Sequence, residues 1–300
     1  PHSYLSLITK HQNTSGCLGI NRLKQNYSSH SIFSGVTSIM ASQMDIKKNL
    51  KIHIWSHQGS FSTLMLRSFY SAGFTVGNEP FIVGEEPHNV DVQHTGLFGA
   101  NQDIFLPKWK SIVRKFEQHE QVVLKEHAWV FQNLPPSEDV QELTMHESKH
   151  IFLLRRPDLA FSSYVRRLTG HSQEEISGML RETEMSLSGF QTLWNAFPRN
   201  TKLLINGGSL MENPETNFRK VLSWLSPDIA SHKEFFEWSP LDNFDPIFGG
   251  YEEFQTVRRS TGWNIRREEA KLVLFDNPAH AHIVAQNMDI FRELSCVCDI

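Results

Sequence analysis

Short apolar runs alternate with amphipathic stretches from about residue 50 onward, and this alternation most limits how the chain can fold. Five runs are predicted strands, since their apolar residues are almost unbroken, as in strands buried on both faces. They are Lys51–Ser56, Phe74–Val76, Gln121–Glu126, His150–Leu154 and Lys202–Ile205. Strands separated by helices indicate a parallel sheet that is covered on both faces. We therefore expect an α/β fold, a three-layer sandwich with a central parallel sheet.

Helices are predicted between these strands and after them. Ser62–Ala72 places Met65 and Phe69 at helical spacing, and Gly73 suits a C-terminal cap. The other predicted helices are Asp103–His119, Gln173–Ala196, Pro214–Leu225 and Asn277–Leu294. Asn213 is the expected N-cap of the third of these, with proline in the first turn.

The first 44 residues differ in composition from the rest of the chain. They contain no Asp or Glu, the first acid being Asp45, and they are rich in Ser, Asn and Gly. That bias is typical of an organellar transit peptide, and it equally fits a translated leader before a start at Met40. In either case we expect residues 1–44 to lie outside the fold as a disordered or transit-like segment. Residues 45–300 are long enough for one α/β domain with a full core.

Charge and cysteine content narrow the classes of partner. The chain has 33 acidic residues against 29 Lys and Arg, a net charge of −4, which gives no electrostatic case for nucleic acid or an anionic membrane. No apolar run approaches the ~20 residues of a membrane span. Cys17, Cys296 and Cys298 form neither a disulfide framework nor a zinc motif, so we expect a reducing, cytoplasmic setting. No metal is expected, because His280 and His282 would point to different sides of a helix.

Between the first strand and helix lies SHQGSFST, a hydroxyl-rich loop with one glycine and no lysine. A turn from strand into helix presents unpaired N–H groups and the positive end of the helix dipole, which favour phosphate or sulfate. Ser60, Ser62 and Thr63 add hydroxyl donors. A plain N-cap is the alternative function for these hydroxyls.

A second strand-to-helix junction occurs in HIFLLRRPDLAFSSYVRR. The strand ends near Arg155, Pro157 suits the first helical turn, and Ser163 would lie ~9 Å further along the helix axis. An arginine and a serine so placed can share one phosphate. The alternative for Arg155 is a surface ion pair.

Five segments, from about residue 51 to 225, resemble sulfotransferases in order and spacing. WSHQGSFST is similar to their phosphosulfate loop, in the subgroup reading W-S-x-P-R-S-x-S-T. RRPDLAFSS resembles the R-x-P-x-x-x-x-x-S motif, which binds the 3′-phosphate of the sulfuryl donor, 3′-phosphoadenosine 5′-phosphosulfate. NEPF, LKEHAWVFQNLP and LLINGGSLMENPETNFRKVLSWLS resemble the E-P-F, K-x-H and N/D-P-E-x-x-x-R segments.

The resemblance implies a fold of the P-loop nucleotide-binding type and transfer of a sulfuryl group to a hydroxyl or amine of a small molecule or glycan. His127, by its match to K-x-H, would be the base, and an unperturbed histidine titrates near pH 6.5. The residues implied to bind the donor are Gly59, Ser60, Phe61, Ser62 and Thr63 at the 5′-phosphosulfate, and Arg155 and Ser163 at the 3′-phosphate. Glu79 would line the acceptor pocket or cap local structure. Arg258 and Arg259 would touch the 3′-phosphate or stay solvated.

The chain departs from the family where Gln58 and Gly59 replace Pro-Arg or Pro-Lys. That basic residue neutralises charge on the bridging oxygen, and losing such a donor typically costs ~3 kcal/mol. Three interpretations are open. The cation comes from His57, Arg67 or Lys125, or the enzyme is slow, or the chain is a non-catalytic nucleotide-binding or interaction protein with the same fold. A P-loop kinase is disfavoured, because the lysine of G-x-x-x-x-G-K-[ST] is missing.

Overall fold

The computed structural model describes residues 49–57, 59–79, 102–128, 140–165, 172, 187–241, 252–263 and 278–300. These residues belong to one compact unit, Ile46–Ile300. Residues 1–44, residues 173–186 of the predicted long helix, and residues 242–251 lie outside the described residues.

Five parallel strands form the sheet, in the order β2-β3-β1-β4-β5. They are β1 Leu50–Ser56, β2 Thr75–Asn78, β3 Gln121–His127, β4 Lys149–Leu154 and β5 Lys202–Asn206. Neighbouring strands are all parallel. The predicted strands are thus confirmed, with small differences at their ends. Their near-continuous burial explains why unbroken apolar runs located them.

The described helices follow the strands as predicted, with additional short ones. They are α1 Ser62–Ser71, α2 Gln102–Glu117, α3 Pro157–Val165, α4 at residues 187–196, α5 Gly207–Glu212, α6 Pro214–Leu225, α7 Glu252–Arg259 and α8 Pro278–Ser295. Asn213 occupies the N-cap position of α6, as predicted, although its side chain makes no capping hydrogen bond. Asn206, in contrast, caps α5 by accepting from the Gly208 amide at 2.8 Å.

Two apolar layers cover the sheet, which confirms the α/β class. Trp55 of β1 and Phe152 of β4 lie in a buried cluster with side chains from α2, α4 and α8. Alternate strand residues point to the opposite face, where α1 packs against β2 and β3. There Phe69 of α1 meets Phe218 of α6 and Phe235 edge to face, with ring centroids 5.7 Å and 5.6 Å away. Within the described ranges, no helix combines the length and apolar character needed to cross a membrane.

Two histidines are buried in the layer that contains Trp55. The indole Nε1 of Trp55 donates to His150 Nδ1 at 3.3 Å, and the Met145 amide donates to His53 Nε2 at 3.1 Å. Burial lowers the pKa of His53 well below its usual value, and His150 lowers it further. Burial, then Lys149 and Lys202, lowers the pKa of His150 to about 3. Both rings are therefore neutral acceptors that hold the core together.

We expect His150 to make the protein less stable in acid. The unfolded chain binds a proton near pH 6.5, whereas the folded ring stays neutral down to about 3, so the free energy of unfolding falls as pH drops between these values. The slope is at most about 1.4 kcal/mol per pH unit for one histidine. Urea denaturation between pH 7 and pH 4 should show that the free energy of unfolding falls less steeply with pH in His150→Gln than in the wild type, because glutamine keeps an acceptor but cannot titrate. An equal pH dependence in the two proteins would contradict this. Above pH 7 the two pH dependences should coincide.

Candidate active site at the carboxyl ends of the strands

The carboxyl end of β1 is the natural place for a ligand in this topology. β1 lies between β3 and β4, so the chain must pass from one side of β1 to the other between those two strands. Such a switch point leaves a crevice at the carboxyl ends of parallel strands, where open α/β sheets bind ligands. The loops after β1 and β4 both begin at this edge.

Arg155 joins these two loops. Its guanidinium Nη1 donates to the Gly59 carbonyl at 2.7 Å, and its guanidinium lies 4.4 Å from the centre of the Phe61 ring. Its backbone amide donates to His57 Nε2 at 2.9 Å. The structure therefore brings Arg155 into contact with Gly59 and Phe61 of the β1–α1 loop, so a surface ion pair alone does not describe it.

The β1–α1 loop has the geometry of an anion-binding turn. Phe61 occupies the N-cap position of α1 in the left-handed region, with φ 71°, and no side chain caps the helix. The simple N-cap interpretation of the loop hydroxyls is therefore wrong. The first-turn amides of Ser62 and Thr63 have no partner within a helix. Ser60 Oγ is buried and makes no hydrogen bond to another described protein group, so its hydroxyl can donate to an anion at the loop.

Gly59 allows this loop to pack directly on α3. Its φ is +74°, and a Cβ atom built there would lie 2.8 Å from the Ala160 carbonyl oxygen. Gly207, at the start of α5, also lies close to this loop, because a Cβ atom built there would lie 3.1 Å from the Ser60 carbonyl oxygen. The strand-to-helix junctions after β1, β4 and β5 therefore meet at the β1–α1 loop. The sequence analysis missed Gly207, although two glycines after a buried strand are a signal of close backbone approach.

The close contact at Gly59 also explains why a basic side chain cannot stand there. Any Cβ atom meets the α3 backbone, so the Arg or Lys of the resembling family could not be accommodated at position 59 without moving α3 or the loop. Gln58 lies outside the described residues.

The second half of the predicted donor site lies on α3. Ser163 is half-buried, one helical turn after Ala160, whose carbonyl faces Gly59. Its neighbour Ser162 is completely buried, and the Ser162 Oγ has no hydrogen-bond partner. Arg258 is buried on α7, so the expectation that it is solvated is wrong, whereas Arg259 is exposed.

The three residues proposed to replace the missing cation have other contacts. Arg67 donates to Ser71 Oγ and, at 2.8 Å, to the Ser239 carbonyl. Lys125 pairs with the Glu79 carboxylate. His57 accepts the Arg155 amide. Arg155, which was predicted to bind the 3′-phosphate, is a cation whose guanidinium contacts the loop itself.

His127 lies at the end of β3, beside the end of β1. Its Nε2 is 3.1 Å from Glu79 Oε1, and the same oxygen pairs with Lys125 Nζ. Its Nδ1 is 3.4 Å from Ser56 Oγ. The His127 and Glu79 side chains are 11% and 14% exposed, so the cluster is largely buried and still reaches the surface of the crevice.

The charges in this cluster oppose one another. Burial lowers the pKa of His127, Lys125 lowers it further, and Glu79 partly counters both. Burial alone would raise the pKa of Glu79, but Lys125 and His127 outweigh it and hold that pKa well below its usual range. At neutral pH the cluster therefore contains a carboxylate and a neutral imidazole, which is the form of histidine that can accept a proton.

Several solved structures are similar to this chain at low sequence identity. No protein-family model and no curated protein matches the chain. Among solved structures it is similar to the sulfotransferase domain from the curacin biosynthetic pathway, with 15% identity over 78% of this chain and 96% of that chain, TM-score 0.46. It is also similar to the sulfotransferase domain of the Synechococcus PCC 7002 olefin synthase, with 13% identity over 81% of this chain and 96% of that one, TM-score 0.48.

A third similar structure is the sulfotransferase from Alicyclobacillus acidocaldarius, with 14% identity over 59% of this chain and 80% of that chain, TM-score 0.38. All three TM-scores are below 0.5, so the fold and the chemistry of this chain rest on its own residues. In the ranges that the structure describes, no group of three or more His, Cys, Asp or Glu side chains is placed to hold a metal ion.

Gly59→Ala should destabilise the protein more than Gly73→Ala. Both glycines have positive φ, which costs an alanine about 1–2 kcal/mol, but only position 59 also collides with backbone, whereas a Cβ at Gly73 meets nothing within 4 Å. Urea denaturation should therefore give the larger loss of stability for Gly59→Ala. Equal losses would show that the loop can move away from α3 without cost.

Proposed function

We propose that the chain is a sulfotransferase that moves a sulfuryl group from 3′-phosphoadenosine 5′-phosphosulfate to a hydroxyl or amine of a small-molecule or glycan acceptor. The observation that carries this proposal is the contact between Arg155 Nη1 and the Gly59 carbonyl at 2.7 Å. Two sequence segments that separately resemble donor-binding motifs thereby form one cradle, although they lie 96 residues apart.

The cradle has the right chemistry for a nucleotide with a phosphate at each end. The α1 amides and Ser60 Oγ supply neutral donors to an anion at the loop, in the manner of helix N-termini that bind phosphate. Arg155 and Ser163 would bind the 3′-phosphate, since a guanidinium forms paired, charge-assisted hydrogen bonds with phosphate oxygens. The half-buried position of Ser163 and the unpartnered Ser162 Oγ beside it are consistent with a polar ligand along α3.

His127 is the proposed base. In the transfer step, the acceptor oxygen or nitrogen forms a bond to sulfur while the bond from sulfur to the 5′-phosphate oxygen breaks. The acceptor proton passes to the neutral His127 ring, and the nucleotide leaves as 3′-phosphoadenosine 5′-phosphate. A positioned base typically contributes 10²–10⁴-fold to such a step, and the remainder comes from holding the reactants in line.

A non-catalytic nucleotide-binding protein is the second candidate, and one observation favours it. The backbone contact at Gly59 excludes the basic residue that would neutralise the leaving oxygen. Donor binding without turnover, over a broad set of acceptors, would establish this alternative.

We expect Arg155→Ala to weaken binding of 3′-phosphoadenosine 5′-phosphate much more than binding of adenosine 5′-phosphate. Removing a charge-assisted hydrogen bond costs about 1.5–3 kcal/mol, which is roughly ten- to hundredfold in affinity. Isothermal titration calorimetry with both nucleotides measures this difference. Arg156→Ala is the matched control, because Arg156 is half-exposed and paired with Asp158.

Two results of that titration would change the assignment. An equal loss for both nucleotides would place Arg155 at the 5′ end, where it would supply the cation that the loop lacks. Failure of the wild-type protein to bind 3′-phosphoadenosine 5′-phosphate would overturn the proposed function.

His127→Ala should bind the nucleotide as the wild type does and lose transfer by 10²-fold or more. Transfer is measured by mass spectrometry of pooled alcohols, phenols, amines and glycans incubated with the donor. Loss of nucleotide binding in His127→Ala would instead assign this residue to the donor site or to the fold.

A further inference from the structure

Glu79 has an unusual backbone conformation directly after β2. Its φ is +49°, in the left-handed region that residues other than glycine rarely adopt. The conformation is held by a hydrogen bond from the Glu79 amide to the Lys125 carbonyl at 2.8 Å, which extends the pairing of β2 with β3. Backbone strain of this kind persists where the surrounding structure demands it, and it is concentrated at functional sites.

The strained backbone turns the Glu79 carboxylate towards β3. There Oε1 lies 3.1 Å from His127 Nε2 and pairs with Lys125 Nζ. Lys125 and His127 are two residues apart on one strand, so their side chains share a face. One buried oxygen atom thus contacts two basic side chains.

This contact decides which ring nitrogen of His127 carries the proton. An ionised carboxylate can only accept hydrogen bonds, so Nε2 must carry the hydrogen and Nδ1 must keep its lone pair. Nδ1 lies 3.4 Å from Ser56 Oγ, at the carboxyl end of β1. Carboxylates that orient histidines in this way are usual around reacting or metal-binding imidazoles.

We propose that Glu79 is a positioning residue that fixes His127 as the Nε2–H tautomer, so that the proton of the acceptor is received at Nδ1, on the Ser56 side of the ring. The catalytic part of this inference rests on the proposed function, whereas the tautomer of His127 does not depend on activity. When the acceptor O–H or N–H bond breaks, its proton bonds to Nδ1, and the resulting imidazolium remains paired with the Glu79 carboxylate. The proton is later released to solvent, and the neutral ring returns.

The charged groups around His127 act on its proton affinity in opposite directions. Burial lowers the pKa of the ring most and Lys125 lowers it further, whereas Glu79 and a hydrogen bond with the Ser56 backbone raise it. The third neighbour, Glu126, accepts the backbone N–H of His127 at 2.9 Å, and its side chain lies on the other face of β3 from the ring. Removing the charge of Glu79 should therefore make His127 harder to protonate, and removing the charge of Lys125 should make it easier.

The test is a histidine-ring ¹⁵N NMR titration of the intact chain, with the His127 signals assigned by their loss in His127→Gln. The wild type should show the Nε2–H tautomer. The midpoint of His127 should move to lower pH in Glu79→Gln and to higher pH in Lys125→Met. Glu147→Gln is the matched control, since Glu147 is a second glutamate with positive φ, 56°, and lies in an exposed turn; it should leave the titration unchanged.

Kinetics separate positioning from a purely structural effect. Glu79→Ala should lower kcat by about 10–100-fold, as loss of an orienting partner typically does, with little change in the KM for the donor. Glu79→Gln keeps an acceptor for the Nε2 hydrogen and should recover part of that loss. An unchanged kcat in Glu79→Ala would overturn the catalytic part of the proposal.

The outcomes distinguish this inference from the proposed function. An Nδ1–H tautomer in the wild type, or midpoints that move in the same direction in both variants, would overturn the role of Glu79 even if the protein transfers sulfuryl groups. The predicted tautomer and opposite shifts, in a protein that fails to bind 3′-phosphoadenosine 5′-phosphate, would support the positioning by Glu79 and overturn the proposed function. If Glu79→Gln fails to fold, the tautomer of His127 in the wild type and the titration of Lys125→Met still test the role of Glu79.

Discussion

The paired contacts of Arg155 with the β1–α1 loop are the interaction on which the site depends. The amide of Arg155 reaches His57 Nε2, and its guanidinium reaches the Gly59 carbonyl. Both contacts require β4 to lie next to β1, although β2 and β3 intervene along the chain. The site therefore depends on the crossing of the chain over β1. If β4 lay beyond β3 instead, no side chain at the carboxyl end of β4 could touch the β1–α1 loop.

The elements of the fold could be predicted because their signals are local. A strand buried on both faces is mostly apolar, and Val122–Leu124 or Ile151–Leu154 show this within a few residues. The residues of the proposed donor cradle could be named for a similar reason, since each lies in a short segment at a strand end. Their mutual contact could not be derived from either segment alone.

What the sequence could not reveal depends on packing between distant segments. The approach of Gly59 to the Ala160 carbonyl follows from the position of α3, and it removes position 59 as a place for a basic side chain. The pairing of Glu79 with Lys125 joins residues 46 apart and requires a left-handed backbone at a residue type that gives no hint of it. The missing cation looked like a simple substitution in the sequence, whereas the structure shows it to be part of how the loop is packed.

The position of each histidine along its strand decides what the residue does. His53 and His150 lie within the layer under α2 and α4, where burial keeps the rings neutral and they act as acceptors for the core. His127 is the last residue of β3, where the sheet ends and its ring meets a carboxylate, an ammonium group and a hydroxyl. The same imidazole chemistry thus serves packing in the middle of the sheet and, in the proposed function, proton transfer at the carboxyl end of β3.

The charge of the Glu79–Lys125–His127 cluster bears directly on the missing cation. With Glu79 ionised, Lys125 protonated and His127 neutral, the cluster has no net charge before reaction. In the proposed transfer, the proton that leaves the acceptor makes the cluster positive at the moment when negative charge grows on the leaving phosphate. Such a charge is most effective in a largely buried site, where water screens it little. A loop without its own fixed cation is therefore compatible with transfer, provided that proton transfer to His127 and departure of the nucleotide occur together.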